Sequence, residues 1–296
     1  MGVLHINPSS SIVTQMNKQE VPPLLEKVRA EIADFTVGFV TIRVQDQAED
    51  ASSAGSGTLV TVGSIHGILT AAHVLRGLPN TGKVGIARFP QASLVQKLTI
   101  DMSFTDKLLL GREASPEGPD LGFLWLPPTD AGTLKATNSF FNLSRRRNLV
   151  LSGGHPSLQY FDGISGVIGE WTNDLPAQRG FEYVISFGAL YGVGCVVKKH
   201  DANGFDLLDF EVTYDAELKL PQSFGGMSGG ALWRVYCSGN PDGQLSVTDK
   251  KVFGVAFYQS GIFKQKRIIT CHGPNSVYGN LIDAIQDRWP ESSSPN

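Results

Sequence analysis

Three short segments of the chain carry side chains that could perform acid–base and nucleophilic chemistry. His73 ends the run ILTAAH, in which two small residues separate the imidazole from an apolar stretch. Asp120 stands directly before the apolar run LGFLWL, and Ser228 lies in the glycine-rich run FGGMSGGAL. A histidine, a carboxylate and an exposed hydroxyl are the groups with which a protein can turn a serine into a nucleophile.

The surroundings of each side chain indicate why these three belong together. A carboxylate at the start of an apolar strand is drawn towards the interior, where it needs a hydrogen-bond donor such as an imidazole N–H. Four glycines around Ser228 permit a tight turn that exposes the hydroxyl and directs backbone N–H groups to one point. We therefore expect His73, Asp120 and Ser228 to form one site.

The elements that must position this site are short β-strands. From Val37 onward, alternating and β-branched runs are separated by turn residues, which is typical of an antiparallel β domain, and a second series of such runs follows residue 148. Strands are predicted at residues 38–44, 57–62, 68–71, 83–89, 94–100, 121–126, 148–151, 166–171, 181–187, 192–198, 206–214, 231–236, 252–258 and 266–270.

Two amphipathic helices flank the β segments. Leu24, Val28 and Ile32 recur every four residues after a Pro-Pro pair, which predicts a short helix. A second four-residue spacing ends the chain before a proline and predicts a docked helix; its apolar residues are Val277, Leu281, Ile285 and Trp289.

These runs predict an N-terminal extension with the first helix and then two β domains. The divisions are 1–36 for the extension, 37–128 for the first β-barrel, 129–147 for an interdomain crossover, 148–275 for the second barrel, 276–290 for the C-terminal helix and 291–296 for a polar tail. The arginines at 145–147 are expected in a solvent-exposed loop of the crossover.

Composition limits the function classes. The chain has 296 residues, of which 41% are hydrophobic and 18% charged, so it encodes a folded globular protein. Its net charge of −3 offers no general field for nucleic acid or anionic lipid. Three cysteines are too few for a disulfide scaffold and are expected to be reduced. With neither an export signal nor a transmembrane run visible, we expect a cytoplasmic protein.

The motifs resemble those of the chymotrypsin and trypsin-like serine peptidases. TAAH ending at His73 is similar to that family's histidine motif, DLGFL beginning at Asp120 to its aspartate strand, and GMSGG around Ser228 to its nucleophile loop. The chain order His, Asp, Ser is also the family's order. The resemblance covers about Val37 to the C-terminal helix. It implies an all-β fold of two antiparallel six-stranded β-barrels with the active site between them.

The resemblance also implies the activity and the role of each residue. The chain would be a serine endopeptidase acting on a protein or peptide through an acyl-enzyme, with no metal or organic cofactor. Ser228 would be the nucleophile, His73 the general base and Asp120 its orienting partner. The backbone N–H groups of Gly226 and Ser228 would form the oxyanion hole. The substrate pocket would include four residues: Gln222, Phe257, Tyr258 and Gln259.

Two departures from the digestive members of the family concern activation and specificity. Met227 stands where those members carry the acid that pairs with a freed N-terminus, so the chain is closer to bacterial members without a zymogen step. Gln222, at the expected base of the pocket, offers a neutral amide, which predicts cleavage after uncharged small or medium residues.

Two alternative functions follow from the same residues. The first is a catalytically silent peptidase fold that serves as a binding module. The second is an α/β-hydrolase esterase, because GMSGG also satisfies the G-x-S-x-G pattern. That elbow requires a helix after Ser228 and then an acid and a histidine, whereas the residues after it indicate a strand and include one histidine, His272.

Overall fold

A computed structural model describes residues 21–45, 48–91, 94–111, 118–155, 157–175, 184–214, 220–239 and 245–290. Within these ranges the chain is mostly β and forms two curled sheets. The strands of the first sheet are β1 (Thr36–Gln45), β2 (Ala48–Val62), β3 (Ile65–Thr70), β4 (Lys83–Gln91), β5 (Leu94–Asp101), β6 (Asp106–Leu110), β7 (Leu121–Trp125) and β8 (Phe141–Asn142). Those of the second sheet are β9 (Gln159–Leu175), β10 (Val184–Ala202), β11 (Phe205–Thr213), β12 (Ala231–Gly239), β13 (Leu245–Gln259) and β14 (Lys266–His272).

The helices lie before, between and after these strands. They are α1 (Val21–Ala33), α2 (Ala72–Gly77), α3 (Pro128–Lys135), α4 (Leu143–Leu151) and α5 (Ile282–Arg288), and a π-helical turn at Ser276–Leu281 leads into α5. The predicted N-terminal and C-terminal helices are confirmed. Their apolar faces pack on one shared core, to which α1 contributes Val28 and Ile32.

The first sheet runs in the order β5-β4-β1-β2-β3-β7-β6 and curls through half a barrel. Its pairs are antiparallel except that β8 pairs in parallel with β2. The expectation of a closed six-stranded barrel is not met here, because the path of paired strands ends at β5 and β6. Strand β6 also escaped prediction, since its sequence DKLLL does not alternate and its residues are only partly buried.

The second sheet closes into a ring of six antiparallel strands in the order β10-β11-β14-β13-β12-β9. Two runs predicted as separate strands, 181–187 and 192–198, belong to the single long strand β10, with residues 181–183 outside the described ranges. The coarse prediction of a mostly β chain with two sheets is therefore confirmed.

The segment between the sheets is helical where a loop and a strand were predicted. Residues 148–151, expected as a strand, lie in α4, and the crossover also contains α3. The side chain of Asn142 accepts a hydrogen bond from the N–H of Arg145 at 2.8 Å and so caps α4. Leu143 and Val150, two helical turns apart, place that face in the core.

The sequence predicted a solvent-exposed loop for the arginines at 145–147, but they lie in α4, and two of them form ion pairs. Arg146 forms an ion pair with Asp249 of β13 at 2.8 Å, and Arg147 pairs with Asp283 of α5 at 2.6 Å. The helix is thus fastened to both the second sheet and the C-terminal helix.

Cys195, Cys237 and Cys271 are free thiols, as expected, and the last two are buried. Burial raises the pKa of Cys237 to about 11, so this thiol is protonated at neutral pH. In the described part of the chain, no helix has both the length and the apolar character needed to cross a membrane.

Candidate active site

Strand pairing in the first sheet brings His73 and Asp120 together. Strands β3 and β7 are antiparallel neighbours, with Thr70 opposite Gly122. The chain leaves β3 after Thr70 and enters α2, so His73 lies in the first turn of a short helix rather than at a strand end. Asp120 directly precedes β7, and the N–H of Ala72 donates to its carbonyl at 3.3 Å.

The two side chains form a closely spaced pair. Nδ1 of His73 lies 2.5 Å from Oδ2 of Asp120, and the backbone N–H of His73 donates to Oδ1 of the same carboxylate at 2.7 Å. The carboxylate is fully buried, whereas the imidazole is 32% exposed. This geometry fixes the ring orientation, engages Nδ1 and leaves Nε2 as the nitrogen available for proton transfer.

Arg76, one turn further along α2, also holds the Asp120 carboxylate. Its Nη2 donates to Oδ1 at 3.3 Å, and its Nη1 donates to the carbonyl of Gly111 at 2.9 Å. The buried carboxylate therefore has three donor groups on two residues of one helix. Hydrogen bonds from three donors offset part of the free-energy cost of burying this charged carboxylate, a cost that an unpaired carboxylate would bear in full.

His272, at the end of β14, supports Asp120 from the second sheet. Its Nε2 accepts a hydrogen bond from the backbone N–H of Asp120 at 2.9 Å. The imidazole is completely buried, stacked on the Phe257 ring at 4.5 Å and edge-on to Phe205. Burial lowers the pKa of His272 to about 4, while the nearby carboxylates of Asp120 and Asp206 act in the opposite direction. The ring is neutral at pH 7, with Nε2 as acceptor.

The loop that carries Ser228 connects the region after β11 to β12 and is held by both sheets. The carbonyl of Ser228 accepts from the N–H of Ser56, in β2, at 2.7 Å. The next residue, Gly229, donates its N–H to the carbonyl of Ala256, in β13, at 2.7 Å. The loop is thereby fixed on both sides of the serine.

Gly229 must be a glycine for two reasons. Its φ is +87°, a left-handed conformation that side chains disfavour. A Cβ at this position would also collide with Oγ1 of Thr70 and with the carbonyl of Ser56. Since Thr70 ends the strand that leads to His73, this close approach brings the serine loop against the histidine segment.

Two amides of the serine loop have no acceptor in the described part of the chain. From Phe224 to Gly230, five of the seven N–H groups donate to protein oxygens, and the exceptions are those of Gly226 and Ser228. These are the two amides that the sequence assigned to an oxyanion hole. Gly226 has a φ of +90°, a conformation that only glycine adopts readily.

Ser56, fully buried in β2, ties this loop to both sheets through its side chain and backbone. Its Oγ donates to the carbonyl of Gly226 at 2.6 Å and accepts from the N–H of Val167, in β9, at 2.7 Å. Its carbonyl accepts from Oγ1 of Thr70 at 2.6 Å. Ser56 is thus a positioning residue for the loop and for the strand before His73.

The structure brings the serine loop and the His73–Asp120 pair to the same junction between the sheets. No hydrogen bond joins the side chains of Ser228 and His73, both of which the structure describes. Such bonds are often long in the absence of substrate and shorten in the reacting complex. The assignment of Ser228 as nucleophile therefore stays a prediction.

Met227, directly before Ser228, is buried in an apolar cluster with Ile164, Ile168 and Phe224. A side chain of this kind in that position has no charge with which to bind a free N-terminus. The expectation that activation needs no N-terminal cleavage rests on this residue.

The residues assigned to a substrate pocket have different environments. Gln222 is exposed, and its backbone N–H, with that of Ser223, donates to the Glu170 carboxylate at 3.1 and 2.9 Å. Gln259 accepts from the N–H of Phe224 at 2.9 Å and from Arg267. The pocket assignment is a prediction that these contacts do not decide.

The remaining two residues of that assignment are neighbours at a β-bulge of β13 and differ in burial. Tyr258 is exposed to solvent, whereas Phe257 is buried beneath the ring of His272. Phe257 therefore packs against His272, which accepts the N–H of Asp120, whether or not Phe257 also contacts a substrate.

Four residues of this region had escaped the sequence analysis: Ser56, Arg76, Glu170 and His272. Arg76 follows His73 by one helical turn, so a helix prediction through TAAHVLRG would have placed it beside the histidine. For Ser56 and Glu170 no local signal exists, because the partners of their side chains lie more than fifty residues away.

The described residues hold no group of three or more His, Cys, Asp or Glu side chains arranged to bind a metal ion. No protein-family model matches the chain, and a search of the curated proteins finds no match either. A function must therefore be argued from the motifs and from the geometry of these residues.

Replacing Ser56 by alanine is expected to lower the free energy of unfolding by about 1–3 kcal/mol, because it leaves the partly buried carbonyl of Gly226 and the buried N–H of Val167 without a partner. Urea unfolding measures this loss. Ser52→Ala is the matched control, since Ser52 lies in the same strand but its hydrogen bond to Thr41 is exposed; it should change stability by less than about 0.5 kcal/mol. Equal effects of the two substitutions would contradict the role given to Ser56.

Acidification is expected to destabilise the protein through His272. Its pKa is about 4 in the folded chain and near 6.5 when unfolded, so the unfolded state binds more protons between these values and stability falls as the pH drops. At pH 5 this single group accounts for about 2 kcal/mol relative to pH 7. His272→Gln, which cannot titrate, should lose correspondingly less on the same change. Denaturant unfolding at both pH values tests this, and an identical loss in both proteins would refute it.

Proposed function

We propose that this protein is a serine endopeptidase of the chymotrypsin-like type, with His73, Asp120 and Ser228 as its catalytic residues. The observation that carries the proposal is the junction between the two sheets. There an imidazole that is about one third exposed is oriented by a buried carboxylate. The strand end before it, at Thr70, lies against a serine loop in which two N–H groups have no acceptor among the described residues. The substrate would be a protein or peptide.

In the proposed reaction, Ser228 Oγ attacks the carbonyl carbon of the peptide bond while Nε2 of His73 takes the hydroxyl proton. The resulting imidazolium is stabilised by Asp120 and then donates its proton to the leaving amine as the C–N bond breaks. Water attacks the acyl-enzyme with the same histidine as base, which releases the carboxylic acid and restores the serine.

The N–H groups of Gly226 and Ser228 would stabilise the oxyanion of each tetrahedral intermediate. Loss of one such donor typically costs about 3 kcal/mol of transition-state stabilisation. Ser56 supports this role because it holds the carbonyls of both residues, so the amides on the same loop keep a constant orientation.

Arg76 and His272 would act as positioning residues. Arg76 of α2 holds Oδ1 of Asp120, and His272 of the second sheet holds its backbone N–H, so the residue is restrained at both its side chain and its backbone. A chymotrypsin-like arrangement of the two curled sheets is part of this proposal, and the closed ring of the second sheet supports it.

The esterase alternative has less support. An α/β-hydrolase elbow passes from a strand through the serine into a helix. After Ser228 this chain instead enters β12 (Ala231–Gly239), an antiparallel member of the closed ring. The non-catalytic binding module is the alternative that the first experiment below distinguishes.

A fluorophosphonate probe is expected to bond covalently to Ser228, with loss of fluoride, in the wild-type chain. Ser228→Ala should abolish labelling, and peptidase activity should fall on the order of 10³-fold or more in both Ser228→Ala and His73→Ala. Mass spectrometry of the labelled peptide identifies the site, and Ser103→Ala, at an exposed serine, is the control. Absence of labelling in folded wild-type protein would favour the binding module.

Digestion of a peptide library is expected to show cleavage after uncharged small or medium residues. Gln222 supplies a neutral amide, and the Glu170 carboxylate nearby is already engaged by two backbone N–H groups. Dominant cleavage after Lys or Arg would contradict this expectation. Glu170→Gln would then tell whether Glu170 provides the charge, while leaving the catalytic residues unchanged.

A further inference from the structure

A cavity of about 340 Å³ lies on the second sheet, away from His73, Asp120 and Ser228, none of which lines it. Strands β10 to β13 form most of its wall, and the end of α4 together with Pro274 and Asn275 completes it. Its volume is within the range of small-ligand sites. Three cationic side chains line it: Lys199, Arg234 and Lys251.

These three cations converge on the ring of Phe253. Cζ of Arg234 lies 3.6 Å from the ring centroid, Nζ of Lys199 5.3 Å and Nζ of Lys251 5.4 Å. Among the described residues, Arg234 alone of the three has a carboxylate partner, since its Nε and Nη2 donate to Asp162 at 2.7 and 2.8 Å. Neither lysine forms a hydrogen bond or an ion pair with a residue that the structure describes.

Of the three cations, Lys251 is the most deeply buried one without an anionic partner among the described residues. It is only 2% exposed, and its ammonium group has two aromatic rings as neighbours but no oxygen acceptor in the described ranges. A buried ammonium without an anionic partner is costly. Burial and the charges of Arg234 and Lys199 lower its pKa to about 8, against the opposing effect of Asp162 and Asp249.

The other polar groups of the cavity do not supply the missing partner. Both carboxylate oxygens of Asp206 are engaged, Oδ1 by the N–H and Oγ of Ser276 and Oδ2 by the N–H of Asn275. Asp201 also lines the cavity, but it is exposed to solvent and forms no ion pair in the described part of the chain. Nδ1 of His200 is buried there with no hydrogen-bond partner among the described residues.

We propose that this cavity binds a small organic phosphate, with its phosphate group between Lys251 and Lys199 and with Arg234 behind them. Two unpaired ammonium groups match the charge of a phosphate monoester, which is about −1.5 to −2 at neutral pH. Asp162 keeps the guanidinium of Arg234 in place at the back of the site. The cavity exceeds the size of phosphate alone, and Leu208 and Phe253 line space for an apolar substituent.

Calorimetric titration with phenyl phosphate, inorganic phosphate and benzoate at constant ionic strength tests the proposal. We expect phenyl phosphate to bind most tightly, inorganic phosphate to compete with it, and benzoate to bind at least tenfold more weakly. Equal affinity for benzoate would overturn the phosphate assignment, and absence of binding at millimolar concentration would overturn the site itself.

Three variants locate the binding. Lys251→Met should weaken phenyl phosphate at least tenfold and Lys199→Gln several-fold, whereas Lys198→Gln, an exposed neighbour on β10 outside the cavity, should have no effect. An unchanged affinity in Lys251→Met would refute the proposal. Ser228→Ala should bind like wild type, so this result does not depend on whether the peptidase proposal holds.

A measurement on the wild-type chain avoids any folding defect of the variants. Reductive methylation of lysines, followed by mass spectrometry, should modify Lys251 more slowly when phenyl phosphate is present and Lys198 at an unchanged rate. Equal modification of Lys251 with and without phenyl phosphate would also refute the site.

Discussion

The hydrogen bonds of Ser56 are the constraint on which the candidate active site depends. Its N–H and Oγ hold the carbonyls of Ser228 and Gly226, its Oγ accepts from Val167 in the second sheet, and its carbonyl accepts from Thr70. One fully buried residue thus joins the first sheet, the second sheet and the serine loop. Because most of these groups are buried and the rest partly buried, a shift of any one would leave polar atoms without a partner, and the junction is rigid for that reason.

Hydrogen bonds also explain how a carboxylate can lie fully buried at this junction. Asp120 is held on its side chain by His73 and Arg76 and on its backbone by His272. The helix α2 supplies the donors to the carboxylate, and the second sheet supplies the acceptor for the backbone N–H of Asp120. His272 can serve as acceptor only while neutral, and its burial beside Phe257 and Phe205 keeps it so. The hydrophobic packing of β13 and β14 therefore contributes to the electrostatics of Asp120.

In the second sheet, two of the three cations around the Phe253 ring lack, among the described residues, the partners that the buried carboxylate of Asp120 has. There three cations approach one aromatic ring, and among the described carboxylates Asp162 pairs with Arg234 alone. At the junction the buried carboxylate of Asp120 has its hydrogen-bond donors, whereas the ammonium group of Lys251 in the cavity has no oxygen acceptor in the described part of the chain. Burying an unpaired charge costs free energy at the junction and in the cavity alike. The contrast between Asp120 and Lys251 therefore favours the proposed ligand in the cavity.

Sequence alone determined the features that depend on local patterns. Alternation and turn residues identified most strands, the four-residue apolar spacing identified α1 and α5, and the glycines around Ser228 predicted a turn with free amides. Local patterns failed where local preferences compete: the run LVL of α4 suits a strand or a helix equally, and the cap at Asn142 together with burial of Leu143 and Val150 decided for the helix.

Tertiary structure alone decided the contacts between distant residues. Ser56 meets Gly226 across 170 positions, and Asp120 meets His272 across 152. Neither serine nor histidine carries a local signature of such a partner, because the pairing results from how the two sheets pack. The open path of the first sheet, the closed ring of the second and the convergence of three cations on Phe253 have the same origin. Strand register, rather than any motif, brings those side chains together.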